Sequence, residues 1–311
     1  MAELIQRTRV DGHEAVRLRC ASAPLEATFV PRVGMVGVSL RDGDAELLGR
    51  ADRLARYAAT GSTMGIPLLY PWANRLAAWS YRVGDVEVAL DPESPVVRRE
   101  EHDLPIHGVL GGSPYWEAGV TAAGLAAELD FGAHPELLAA FPFPHRLRLD
   151  VELRDRALTL RTTIVAGAQR PVPVAFGFHP YLRLPGVPRE RWRVELPAMR
   201  HLELDERKIP TGASTAVDAW AGELGERTFD DGYADVAPGA AFVLAGGGRR
   251  IAVRLEHGYP AAQVFAPPTE DVVCFEPMAA PTDALVSGQG LVLVPPGERH
   301  EATFSIAVEP E

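Results

Sequence analysis

Cysteine is scarce, with Cys20 and Cys274 the only two in 311 residues and far apart in the chain. They can build neither a disulfide framework nor a clustered thiolate metal site, and such sparse use predicts free thiols in a reducing compartment, hence the cytoplasm. Positive charge is in deficit: Lys+Arg total 31 against Asp+Glu 42, a formal net charge of -11. That field repels phosphate backbones and anionic lipid surfaces, so nucleic acid is not an expected partner. Long apolar runs are also missing. No stretch reaches bilayer-spanning length, and Met1 to Val10, which carries Glu3, Arg7 and Arg9, has no apolar segment of the signal-peptide kind. A protein that stays out of the membrane is expected. There is no His-X-His pair, no glycine-rich phosphate loop and no repeated βα unit, so neither a metal nor a redox cofactor is expected.

What the chain does have is alternation of period two. Leu147, Leu149, Val151 and Leu153 are interleaved with Arg148, Asp150 and Glu152, the signature of a half-buried strand. Beyond a polar Arg154-Asp155-Arg156 turn the pattern resumes at Leu158 and Leu160, which predicts a hairpin. Similar alternation recurs at Trp192, Val194 and Leu196, at Ile251, Val253 and Leu255, and at Phe304, Ile306 and Val308. The Gly246-Gly247-Gly248 cluster between apolar runs predicts another hairpin turn. Helical candidates are few and short, chiefly Asp52–Ala59 and Pro135–Phe141, the latter with proline placed for a first helical turn. A hydrophobic content of 47% can fill a large core, and no linker or compositional shift divides the chain. The expectation is an all-β fold, one large, mainly antiparallel β-sandwich domain over residues 1–311.

Five places carry groups capable of chemistry. In Phe176-Gly177-Phe178-His179-Pro180-Tyr181-Leu182 a proline interrupts an aromatic run directly after a histidine, so strand pairing should stop there. His179 then either packs at a bend or aims an ionisable ring into a cleft. Gly65 to Leu76 delivers Asn74-Arg75 from a proline-broken apolar segment, with Tyr70 or Trp72 available to stack on a ring face. Ile106-His107-Gly108 turns sharply at its glycine. Phe229-Asp230-Asp231-Gly232 is either a solvated turn or a source of a hydroxyl-binding carboxylate. Finally, Val272-Val273-Cys274-Phe275 is an apolar strand expected to end at Glu276, where Pro277 stops it. Desolvation there would raise the Glu276 pKa towards the range of a general base, although an exposed strand-end glutamate fits the same residues.

Taken in order, Asn74-Arg75, Ile106-His107-Gly108 with Trp116 beyond, Gly177-Phe178-His179-Pro180-Tyr181, and Phe275-Glu276-Pro277 with Ala284-Leu285 beyond resemble the aldose 1-epimerase (mutarotase) family. The similarity runs from about Pro67 to the carboxyl end. The resemblance implies a large β-sandwich with a sugar cleft and a small-molecule sugar as substrate. By the same resemblance Glu276 is the general base and His179 the general acid, Arg75 and His107 hold the sugar, and Asp230 binds ring hydroxyls, with Asp231 left open as its alternative. Exchanging anomers requires one proton to leave the C1 hydroxyl while another reaches the ring oxygen, which a carboxylate and an imidazolium can supply. A sugar-phosphate epimerase would need additional arginines, for which Arg50, Arg53, Arg98, Arg99 and Arg183 are available. A non-catalytic carbohydrate-binding protein would have no need of both His179 and Glu276.

Overall fold

A computed structural model describes residues 4–311, so the first three residues of the Met1–Val10 segment lie outside the described residues. Strand dominates, as the alternation predicts. His145–Arg154 and Ala157–Ala166 pair antiparallel along their whole length, from His145 opposite Ala166 to Arg154 opposite Ala157. The turn between them is Asp155-Arg156 with φ of 47° and 61°, the left-handed geometry that lets a two-residue turn follow the twist of its strands. Gly247-Gly248, at φ 62° and 77°, does the same between Ala240–Gly246 and Arg249–His257. In the first hairpin Leu147, Leu149, Val151, Leu158 and Leu160 enter the core, while Arg146, Arg154 and Arg161 are exposed.

Among the described residues the strands form sheets of five, nine and eight strands with two two-stranded ribbons, and the strand pairings are antiparallel. The nine- and eight-stranded sheets pack face to face. Phe304 of the former meets Phe178 of the latter with ring centroids 4.9 Å apart, and Phe242 meets Phe275 at 5.6 Å. Leu25 and Phe29 of the five-stranded sheet join the same hydrophobic cluster. Each such side chain contributes about 1.5–3 kcal/mol by leaving water, so a core of this extent holds the sheets without disulfides. The expected mainly antiparallel β-sandwich is therefore what the chain adopts, and Cys20 and Cys274 are buried free thiols. No helix among the described residues is long and apolar enough to cross a membrane.

Helices occupy Leu54–Thr60, Pro135–Ala140 and the single turn Ala284–Ser287. The first begins two residues later than expected, because its N-cap position falls on Arg53, whose side chain makes no capping bond. A second difference is more consequential. The strand expected to end at Glu276 continues through Pro277, as Val273–Met278. On the seam with its neighbour the Ala279 N–H donates to the Phe176 carbonyl. Two residues further along, that donor position falls on Pro277, so the ladder gives way there while pairing with Ala261–Phe265 on the other side continues.

Candidate active site

That broken seam brings His179 and Glu276 together. Gly177 lies opposite Met278, and Tyr181 opposite Cys274. Stepping inward by two residues on each strand places His179 opposite Glu276, at a non-hydrogen-bonded position where facing side chains approach most closely. Alternation sends Val273 and Phe275 into the core and Cys274 and Glu276 to the opposite face. His179 Nε2 is 3.2 Å from Glu276 Oε1. The pair is 5% and 2% exposed, so it forms a nearly closed floor rather than the wall of an open cleft. Burial pushes the Glu276 carboxyl well above its ordinary range, with Asp230 adding to the rise and Arg75 opposing it. Burial also pushes His179 down to about 3, helped by the Arg50 charge. Desolvation thus favours an uncharged pair holding one proton, in place of the carboxylate and imidazolium expected from the sequence.

The remaining groups surround this pair. The His179 ring stacks on Tyr181, with centroids 4.3 Å apart, and Tyr181 Oη is fixed by Thr63 Oγ1 at 2.6 Å and Arg50 Nη1 at 2.9 Å. His107 meets His179 edge to face at 5.6 Å. It is held there by a left-handed backbone, φ 63°, and by its N–H donating to the Asn74 carbonyl at 2.9 Å. Burial lowers the His107 pKa well below the usual imidazole value, with the neighbouring His179, Arg98 and Arg75 adding to the fall. Arg75 donates to Asn74 Oδ1 at 3.0 Å and to Glu100 Oε2 at 3.1 Å, which fix its guanidinium beside the pair. Asp230 accepts from Gln263 Nε2 at 2.9 Å and approaches Lys208 Nζ at 3.5 Å. Gln263 is itself the cross-strand partner of Glu276. The buried Nδ1 atoms of His107 and His179 have no hydrogen-bond partner.

All five residues singled out in the sequence therefore gather in one place, and the choice between the adjacent aspartates is resolved. Asp230 faces Glu276, whereas Asp231 faces the other way and bonds His201 Nε2 at 2.8 Å. Tyr70 and Trp72 are not available to stack on a sugar, because both side chains point into the core. Of the arginines that a phosphate would require, Arg50 and Arg53 share Glu270, and Arg99 pairs with Asp103. Arg98 is different, since its buried Nη1 has no partner and its charge acts on both histidines. Glu100 and Lys208 lie in polar stretches that carry no mark of what they will face, whereas Gln263, the one polar residue in the apolar run Ala261–Ala266, carried a signal that the motifs did not take up. Ligating atoms of Glu100, Glu101 and His102 lie within 4.8 Å of one another, but Glu100 already serves Arg75 and the His102 and Leu104 amides.

Beneath the His107 loop sits a buried polar pin. The Val109 N–H donates to the Tyr70 carbonyl at 2.7 Å, and Tyr70 Oη bonds His145 Nε2. Since His145 Nδ1 faces the Phe143 carbonyl at 2.6 Å, Nδ1 carries the proton and Nε2 accepts from the tyrosine. Burial lowers His145 to about 4. A folded-state value below the unfolded one means that the stabilisation is complete above the unfolded value of about 6.5 and is lost as pH falls towards 4. Between pH 7 and pH 5 this group should therefore cost about 2 kcal/mol. Urea denaturation of the wild type and His145→Gln at both pH values checks this: the gap between them should narrow by that amount at pH 5, and an unchanged gap counts against a buried neutral imidazole.

The sequence profile of the family described as Aldose 1-epimerase matches residues 28–307. Among solved structures, the chain is similar to a galactose mutarotase-like protein from Clostridium acetobutylicum, with a TM-score of 0.82 at 18% identity, covering 99% of this chain and 98% of that one. A protein from Synechocystis is similar with a TM-score of 0.77 at 20% identity, covering 99% and 96%. The GalM/aldose epimerase homologue from C. elegans gives 0.74 at 16% identity, covering 94% and 98%. No curated protein sequence matches the chain. At these identities the structural likenesses establish a common fold.

Proposed function

The chain belongs to the aldose 1-epimerase family, and from that premise we propose that it interconverts the α and β anomers of a free aldohexose by acid–base ring opening and closure. The observation that carries this reading is the buried His179–Glu276 pair at 3.2 Å. Two proton-transfer groups in contact and out of water can exchange a proton with a substrate without a stable charge being left behind. Sugar hydroxyls at Glu276, together with the Arg75 charge, favour the carboxylate, and the single proton of the pair then resides on His179. Glu276 takes the C1 hydroxyl proton while His179 protonates the ring oxygen, and the C1–O5 bond breaks. Rotation about C1–C2 presents the other face of the aldehyde. Closure reverses both transfers. The unpartnered Nδ1 atoms of His107 and His179 offer further hydrogen-bonding positions to sugar hydroxyls, and Asp230, braced by Gln263 and Lys208, accepts from those at the mouth of the site.

One observation favours a second reading. The partnerless Nη1 of Arg98 suits an anionic substituent on the sugar, and so a hexose phosphate. Polarimetry of freshly dissolved glucose, galactose and hexose 6-phosphates separates the two. Faster equilibration of the neutral sugars, retained in Arg98→Gln, is the expected result. Activity confined to the phosphates and lost in that variant would replace the first reading by the second.

A further inference from the structure

A cavity of about 450 Å³ lies well outside the catalytic cluster, between the strands Ile5–Val10 and Glu117–Val120. The first is the edge of the five-stranded sheet and the second the edge of the nine-stranded sheet. Its volume falls in the range of sites that hold a small molecule. The charge around it is opposite in sign to that of the whole chain. Arg7, Arg9 and Arg32 line it against one carboxylate, Glu14, in a protein whose net charge is -11. Arg7 and Arg9 are two apart in one strand and so share a face. Arg32 is steadied by one Nη1 bond to the Pro114 carbonyl at 2.9 Å, leaving its other donors free to act. None of the three is in an ion pair among the described residues.

A second observation points the same way. Trp116, at 0% exposure, closes the cavity from beneath. Apart from Thr8 the rest of the lining is apolar, with Val16 and Leu125 buried and Val120 exposed at 44%. Three guanidinium groups call for an acceptor-rich anion, while the exposed Val120 and the aliphatic wall around it call for an apolar body.

We propose that this cavity binds a small amphipathic anion, a carboxylate or phosphate borne on an apolar or aromatic body. Arg7, Arg9 and Arg32 hold the head, and the exposed Val120 contacts the body. The site is separate from the catalytic pair and shares none of the residues assigned to sugar binding.

Phenyl phosphate is a suitable probe, titrated by calorimetry with galactose in excess so that the sugar site does not contribute. One saturable site is expected, with benzyl alcohol and inorganic phosphate each binding at least about tenfold more weakly, since one lacks the head and the other the body. Arg9→Gln and Arg32→Gln each remove a charge-assisted bond and should weaken phenyl phosphate by roughly 10- to 100-fold. Both positions are exposed, so the variants should fold and keep the parental mutarotation rate. Val120→Ser, at another exposed position, should weaken phenyl phosphate while leaving inorganic phosphate unchanged. Absence of saturable binding, affinity unchanged in Arg7→Gln/Arg9→Gln/Arg32→Gln, or inorganic phosphate binding as tightly as phenyl phosphate would each overturn the proposal, the last by reducing the site to a bare patch of charge.

Discussion

Glu276→Gln is expected to slow mutarotation by a factor of about 10² to 10⁴ while sugar binding stays within a few fold of the parent. Glutamine keeps the size of the side chain and its hydrogen-bonding reach but cannot take a proton. The position amplifies the loss. At 2% exposure and 3.2 Å from His179, Glu276 has no bulk water beside it to act as a substitute base. His179→Asn should be similarly slow, because a group that cannot return a proton to the ring oxygen blocks the same transition state. If the two residues share one proton, as their burial favours, the double variant should be barely slower than either single one, far short of the product of the two losses. Polarimetry gives the rates, and calorimetric titration with galactose gives the affinities. A folded Glu276→Gln protein that equilibrates anomers at the parental rate would remove Glu276 from the mechanism.

Gly108→Ala should have the largest structural effect of any single methyl addition near the site. Gly108 has φ 68°, where an L side chain is strained, and a Cβ there would sit 2.0 Å from the Tyr70 carbonyl oxygen. That obstacle is backbone, so it cannot rotate away, and the loop carrying His107 would have to move. Left-handed strain of about 1 kcal/mol and overpacking of about 1–3 kcal/mol together give a loss of roughly 2–4 kcal/mol. Gly84 supplies the control, with φ 60° and no atom within 4 Å of the place its methyl would take. Gly84→Ala should therefore lose only about 1 kcal/mol, by conformational strain alone. Denaturant midpoints measure both, and the KM for sugar should rise only in the Gly108 variant as His107 leaves its place beside His179. Equal stability of the two variants would mean that the His107 loop has room to spare.

The sequence by itself determined the class of fold and marked the residues proposed to react. Period-two alternation at Leu147 to Leu153, Ile251 to Leu255 and Phe304 to Val308 can be satisfied only by strands with one buried face, and enough such strands must pack sheet on sheet. Ordered short motifs around Arg75, His107, His179 and Glu276 pointed to the family. Alternation is silent about which face of a strand will meet which neighbour. Asp230 and Asp231 were bound to point to opposite sides, but only the packing of Phe229–Ala234 beside Ala261–Ala266 decided that Asp230 looks towards Glu276 and Asp231 towards His201. Pro277 reads as a stop because proline removes a donor, yet the strand passes through it where the neighbouring seam opens at His179-Pro180. Tyr70 and Trp72 read as a platform, yet the core claims both rings. The protonation state of the pair is likewise out of reach of the sequence, since it depends on how completely other segments cover it. Segments drawn from distant parts of the chain exclude water from His179 and Glu276, and that desolvation, which no local pattern records, is what drives the two groups towards sharing one proton.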